Sequence, residues 1–346
     1  MSQSRPLIAR EESAPPYYVG VDLGGTNIKI GLLDERGNSL AYLSIPTDVE
    51  EGPEDGSRRM GEGVHAVIRQ AGVQVSEVAR VGLATPGSMD IPQGLLIHPH
   101  NLPGWFDFPI RDRVSHHAKL PVTYANDANA AAYGEFWRGS GEQFHSMVLL
   151  TLGTGVGGGI IIGDLLVEGE HSAGGEVGHI IIDSRDDARL CGCGQRGHLE
   201  AYASATGVIG RTTDALDAGH RSSLAALIEA GHELTPRLIA REATAGDALS
   251  REIVLETARY LGIGIVTLIN TIDPAGVVLG GAMNFGGPDH PLGRQFIDRV
   301  RTEVRERALT EALAEVTVAF ATLGSDAGYI GAAGLARLDH HKPRTA

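Results

Sequence analysis

Chemistry-bearing residues gather in a few places along this chain. Asp22 closes one apolar run and is followed by Gly24-Gly25-Thr26-Asn27, and Thr151 closes another and is followed by Gly153-Thr154-Gly155. Glycine turns of this kind hold phosphate, because backbone N–H groups approach an oxygen with no Cβ in the way and the adjacent Thr hydroxyl adds a donor. Neither turn is a Walker loop, since no Gly-Lys-Ser/Thr follows. Gly153, Gly155 and Gly158 do satisfy G-x-G-x-x-G, with Glu176 about 20 residues further on, but a dinucleotide fingerprint opens a helix. Here Ile160-Ile161-Ile162 reads as a strand. Either turn alone could be a plain hairpin, whereas a matched pair argues for phosphate. Asp22 is placed to hold Mg²⁺ through water, or to serve the turn itself.

Asn126-Asp127 opens an alanine-rich helix, so Asp127 either caps that helix or projects into a cleft. Gly174-Gly175-Glu176-Val177-Gly178-His179 sets an acid and an imidazole three residues apart in a bend too rich in glycine for a core helix. Cys191-Gly192-Cys193 and His198 follow, and with His179 they make a tetrahedral zinc set; the alternative is a pair of free buried cysteines. Two cysteines so spaced suit neither each other nor a disulfide framework, which favours a reducing cytoplasm.

The elements that position these groups alternate. Strand runs Tyr17–Asp22, Ile28–Leu33 and Leu40–Ile45 form a meander, followed by a helix Met60–Ala71, a strand Val81–Thr85, a strand Val122–Ala125 and a helix Ala128–Trp137. A second meander follows, as Met147–Leu152, a loop Gly153–Gly159, Ile160–Ile162 and Leu165–Val167. Asp22 and Thr151 stand 129 positions apart at matching points, so the fold class is α/β with duplicated halves facing each other. A long helix Ala248–Ile272 carries a core face of Val254, Ala258, Leu261, Ile265, Leu268 and Ile269. Val277–Leu279 and Val316–Ala321 are late strands, and the small-residue helix Ala327–Leu338 is expected to pack back on the first half.

The 346 residues fit about two domains, and the net charge of −14 offers no basic surface to nucleic acid or anionic lipid. The longest apolar stretches, such as Leu261–Ile269, fall short of the roughly 18 residues that span a bilayer. Residues 1–16 hold no apolar segment of a secretory signal and read as a disordered tail. The 47 glycines belong in ordered turns.

From Tyr17 to Leu338 these residues resemble the ROK group of sugar kinases and sugar-responsive repressors, within the actin/hexokinase superfamily. Val21–Asn27 looks like its first phosphate motif, Leu149–Gly157 like its second, and Gly280-Gly281-Ala282 like its adenosine contact. The Gly174–His179 stretch and Cys-x-Cys-x₃-Gly-x-Leu-Glu from Cys191 to Glu200 look specific to the group. The resemblance implies two duplicated ribonuclease H-like domains around a cleft: 17–125 plus 326–340, and 126–325, the latter holding the zinc. It implies Asp127 as general base, with Gly87, Asn101, Asn126, Glu176, His179 and Glu200 as sugar contacts. It further implies ATP contacts at Asp22, Gly24, Gly25, Thr26, Asn27, Lys29, Thr151, Gly153, Thr154, Gly155, Gly280 and Gly281, with Asp22 on Mg²⁺.

His179 would serve both zinc and sugar, one ring nitrogen for each, in a structural Zn²⁺ site completed by Cys191, Cys193 and His198. The group usually has a third cysteine where this chain has His198, which gives Cys₂His₂. His98, His100, His116 and His117 match nothing and are expected at the surface. A repressor would need a winged helix-turn-helix ahead of the first phosphate motif, and 16 residues precede Tyr17. Asn101-Leu102-Pro103-Gly104-Trp105 resembles the glucokinase branch, which favours the 6-hydroxyl of glucose over fructose, mannose, N-acetylmannosamine or N-acetylglucosamine. A homodimer or homotetramer is the expected assembly by resemblance.

Overall fold

The computed structural model describes residues 6–99 and 101–343, so the expectation for His100 lies outside the described residues. The first meander forms β1 (Tyr17–Leu23), β2 (Asn27–Leu33) and β3 (Ser39–Pro46). Then come α1 (Gly52–Gln70), β4 (Val78–Thr85), a small hairpin of β5 (Ser88–Asp90) and β6 (Leu95–His98), α2 (Ile110–Ala118), β7 (Val122–Asn126) and α3 (Asp127–Arg138). The sheet order is β3-β2-β1-β4-β7, antiparallel within the meander and parallel from β1 through β4 to β7.

The second half repeats the pattern. It runs through β8 (Ser146–Leu152), β9 (Val156–Ile162), β10 (Leu165–Leu166), α4 (Glu200–Ala203), α5 (Ala205–Asp217), α6 (Ser223–Glu229), α7 (Pro236–Ala245), α8 (Ala248–Ile272), β11 (Gly276–Gly280), α9 (Pro291–Arg307), α10 (Glu311–Ala314), β12 (Thr317–Phe320) and α11 (Ala327–His341). Its sheet order, β10-β9-β8-β11-β12, has the same directions. Register makes the duplication concrete: Asp22 sits opposite Lys29 and Ala84, while Thr151 sits opposite Gly157 and Gly280. In both sheets the parallel strands end at one edge, the place where α/β sheets bind ligands.

Three expectations are corrected. Helix α1 begins at Gly52, not Met60, because Pro53 fits the first turn and Glu54 and Asp55 suit the positive end of the helix dipole. Its glycines are close approaches rather than breaks, since a Cβ on Gly61 would crowd His117 and one on Gly56 the Trp105 ring. Strand β9 begins at Val156, so most of the supposed Gly153–Gly159 loop is strand. A side chain on Gly158 would overlap Val177, and one on Gly159 would come 2.5 Å from Ala132 Cβ. Nor are residues 6–16 a disordered tail. Ile8 packs on the first core and its N–H donates to Ser39 O (2.9 Å) at the edge strand β3, while Arg10 pairs with Glu77.

One core lies beneath β1, β2 and β4 with α1 and α2, and another joins β8, β11 and β12 to α8 and α9. The α8 face expected to be core is buried at Val254, Ala258, Leu261, Ile265, Leu268 and Ile269. A third core spans the halves, with Ala84, Ala125, Ala130 and Ala332 from one side and Met147, Leu149 and Val278 from the other. Within it α3 and α11 cross at backbone contact, because a Cβ on Gly331 would overlap the Ala130 carbonyl and one on Gly134 the Ala327 carbonyl. Helix α11 packs across β1, β4 and β7, as expected of it. Among the described residues no helix is long and apolar enough to cross a membrane.

Candidate active site

The C-terminal ends of β1, β4 and β7 present Asp22, Gly87 and Asn126-Asp127 along one edge. Asn126 caps α3: its Oδ1 accepts from Ala128 N (2.9 Å) and Asn129 N (3.2 Å). That frees Asp127 from the cap, and its Oδ1 takes the adjacent Ala128 N–H (2.8 Å). Any contact of Asn126 with a sugar therefore falls to its amide nitrogen. Burial, and next the Asp22 carboxylate, push the Asp127 carboxyl up to about 7, with Glu176 raising it further and backbone N–H bonds pulling it down. Burial raises Asp22 to about 6 against the pull of Lys29. Two carboxylates thus share a poorly solvated edge with little cationic compensation, a donor set that suits a divalent cation.

The first turn is braced from behind. Gly24 N donates to Asn27 O (3.0 Å), and Thr47 holds both ends, donating from N to Thr26 O (2.9 Å) and from Oγ1 to Gly24 O (2.6 Å). Asn101 closes over it, since a Cβ on Gly25 would come within 3.2 Å of Asn101 Nδ2. Asn101 is held there by fully buried Leu102 and Trp105, whose Nε1 donates to Val49 O (3.1 Å). Gly87, with φ +90°, runs against Pro99 where no side chain fits. Lys29, expected at the phosphates, donates from Nζ to Ser325 O (2.6 Å), just ahead of α11.

The second turn is gripped by the start of α5. Ala205 N donates to Gly153 O (2.9 Å) and Thr206 Oγ1 to Thr154 O (3.2 Å). Glu200 Oε2 accepts from Val156 N (2.9 Å), and a Cβ on Gly155 would overlap that oxygen. Gly281, at φ +89°, lies against the Leu152 backbone, so β11 delivers Gly280-Gly281 beside the loop.

Glu176 is exposed ahead of a single 3-10 turn, Val177–His179, and its Oε2 lies 3.8 Å from His179 Nε2. The other ring nitrogen of His179 enters the cysteine cluster. His179 Nδ1 is 3.3 Å from His198 Nδ1, His198 Nδ1 is 3.2 Å from Cys193 Sγ, and Cys191 Sγ is 3.9 Å from His179 Nδ1. All four ligand atoms fall within 4.8 Å of one another. With Zn–N about 2.0–2.1 Å and Zn–S about 2.3 Å, a tetrahedron has edges of roughly 3.3 to 3.8 Å, so this set fits zinc. Burial pushes the Cys191 thiol up to about 12, and its Sγ lies 3.4 Å from Glu200 Oε1. Cys191 is buried but Cys193 is exposed, unlike a pair of core thiols.

The profile of the ROK family matches residues 18–338. The chain belongs to the ROK family. It is 35% identical to a glucokinase of Halalkalibacterium halodurans over 91% of this chain and 93% of that protein. A ROK hexokinase structure from Thermus thermophilus superposes with a TM-score of 0.79 at 34% identity, covering 93% of this chain and 98% of that one. A ROK family glucokinase of Streptomyces griseus, solved in complex with glucose and AMPPNP, gives 0.71 at 32%, covering 93% and 99%. The expected family and two-domain α/β class therefore stand.

Sequence reasoning missed the braces of this ROK chain. Thr47, Thr206 and Ser325 lie at the loops only through long-range folding, and no local pattern marks them. Gly328 was equally silent, yet its Cα faces the Asp22 carboxylate so closely that no larger residue fits. Of the unmatched histidines, His98 and His116 are exposed as expected, whereas His117 is half-buried and lies 3.2 Å from Glu54.

Proposed function

We propose that this protein is an ATP-dependent hexose kinase that phosphorylates the 6-hydroxyl of glucose, with Asp127 as general base. The observation that carries the reading is the Asp127 carboxyl: released from capping by Asn126, set beside Asp22, and raised to about 7, where a base is poised for neutral pH. In the reaction the sugar hydroxyl gives its proton to Asp127 as its oxygen bonds to the γ-phosphorus. The bond to the bridging oxygen breaks, and its electron pair leaves on ADP. Asn101, Asn126, Glu176, His179 and Glu200 orient the sugar, and Gly87 lets it approach the backbone. The turns at Gly24–Asn27 and Thr151–Gly155 hold the phosphates, while Gly280-Gly281 takes the adenosine. Asp22 would hold magnesium, which would supply charge neutralisation at the phosphates. His179, Cys191, Cys193 and His198 would hold a structural zinc, which would fix the tautomer of the His179 ring and leave Nε2 for the sugar.

The similarity to glucokinases over nearly their whole length and the Asn101–Trp105 segment favour glucose. We place the domains at 17–125 with 326–340 and at 126–325, and expect a cytoplasmic dimer or tetramer. The test is ADP release from Mg·ATP with glucose, fructose, mannose, N-acetylmannosamine and N-acetylglucosamine, using Asp127→Asn as the blank. Turnover on glucose, abolished in the variant, is expected. Sugar binding with no turnover on any of the five would make the chain a sensor and overturn the proposal.

A further inference from the structure

Glu135 sits two turns along α3 from Asp127 and is fully buried. Its carboxylate collects donors from two segments far apart in sequence. Oε2 accepts from Ser140 N (2.9 Å), Ser140 Oγ (3.0 Å) and Thr322 Oγ1 (3.3 Å), while Oε1 accepts from Thr322 N (3.0 Å) and Leu323 N (2.6 Å). Ser140 lies where the chain leaves α3 for the second sheet, and Thr322-Leu323 where it returns from β12 towards α11. Both passages between the two sheets are thus bound to one carboxylate. Gly139 leaves room for it, since a Cβ there would overlap Glu135 Oε2. The two helices joined at this point carry the chemistry: α3 begins with Asp127, and Gly328 of α11 lies against Asp22.

We propose that Glu135 is a positioning residue at the root of the hinge on which the two domains close: from within the 126–325 domain it ties α3, which starts at the first domain boundary, to Thr322-Leu323, just ahead of the second boundary, and so sets the second phosphate turn against Asp127 and Asp22. The proposal rests on the kinase reading only for the ligands that drive closure. Glutamine is the informative replacement. Both carboxylate oxygens accept backbone N–H groups, so in either amide orientation one NH₂ faces donors it cannot satisfy. One crossover strand must then let go while the helix keeps its shape.

The experiment compares wild type and Glu135→Gln by small-angle scattering, without ligand and with glucose plus AMPPNP, and by amide exchange at Ser140, Thr322 and Leu323. Without ligand, the variant is expected to give a larger radius of gyration and exchange at least tenfold faster at those amides. The factor by which glucose tightens AMPPNP binding should fall from the range of roughly 5 to 150 typical of coupled sites to near 1. A scattering profile and coupling factor equal to wild type, with only a lower melting temperature, would overturn the proposal and leave an ordinary brace. If Glu135→Gln does not fold, the pair Ser140→Ala with Thr322→Val removes only hydroxyl donors and should shift both readouts in the same direction, less far. A wild type that ignores glucose and AMPPNP would fault the kinase reading, and the ligand-free comparison would still decide the hinge.

Discussion

Replacing Asp127 by Asn should make the protein more stable and nearly inert, and the gain in stability should depend on pH. The carboxyl is held at about 7 in the folded chain against an ordinary value of 3.8. A raised acid pKa means the folded state grips its proton more tightly, so stability is lost as pH rises from about 4 through 7, and the full penalty applies above 7. The difference of about 3 units corresponds to at most ~4 kcal/mol, and the open side of the cleft cuts this to about 2 kcal/mol at pH 8. At pH 5 roughly a third of the penalty is present, so the advantage of the variant grows by about 1 kcal/mol between pH 5 and 8. In thermal unfolding that is a difference of about 2 °C between the two pH values. Asparagine preserves the shape of the site and leaves the Asn126 cap untouched. Turnover should drop by 10² or more, to the order expected for loss of a general base, with sugar affinity retained. The same group predicts a wild-type kcat/KM that falls tenfold per pH unit below about 7. A pH-independent stability difference, or turnover near that of wild type, would refute the claim that Asp127 is a desolvated base.

The cysteine cluster should carry about one zinc per chain by elemental analysis; Cys191→Ser should lose it and raise the sugar KM, and His198→Cys should keep it. Metal-free protein with full activity would remove zinc from the mechanism. Gly331→Ala drives a methyl into the Ala130 carbonyl where α11 crosses α3, so the melting temperature should fall by several degrees and kcat with it. A variant as stable as wild type would mean that the crossing has slack.

The duplicated meander, the two glycine turns and the length of α8 were legible because each is written locally: alternation, a turn, a 3.6-residue stripe. Asp127 showed why local reading stops short. As the second of two capping-type residues it was ambiguous until the structure gave the cap to Asn126, a choice between neighbours decided by which side chain the helix start can reach. The glycines misled in the opposite sense. At Gly56, Gly61, Gly158 and Gly159 they looked like loop, yet they lie inside a helix and a strand because a neighbour from another element needs the space of a Cβ. Residues 6–16 hid in the same way: Ile8 on the unpaired edge of β3, Arg10 on Glu77 and the Ala14 backbone on Asp34 and Glu35 tie them down. Glu135 is the extreme case. A glutamate on an alanine-rich helix is ordinarily solvated, and only the return of the chain at Thr322-Leu323, nearly two hundred residues later, turns it into an acceptor for both crossings. What the sequence leaves unread is the set of residues whose partners arrive from segments distant in the chain, and those residues fix how the elements meet at the candidate site.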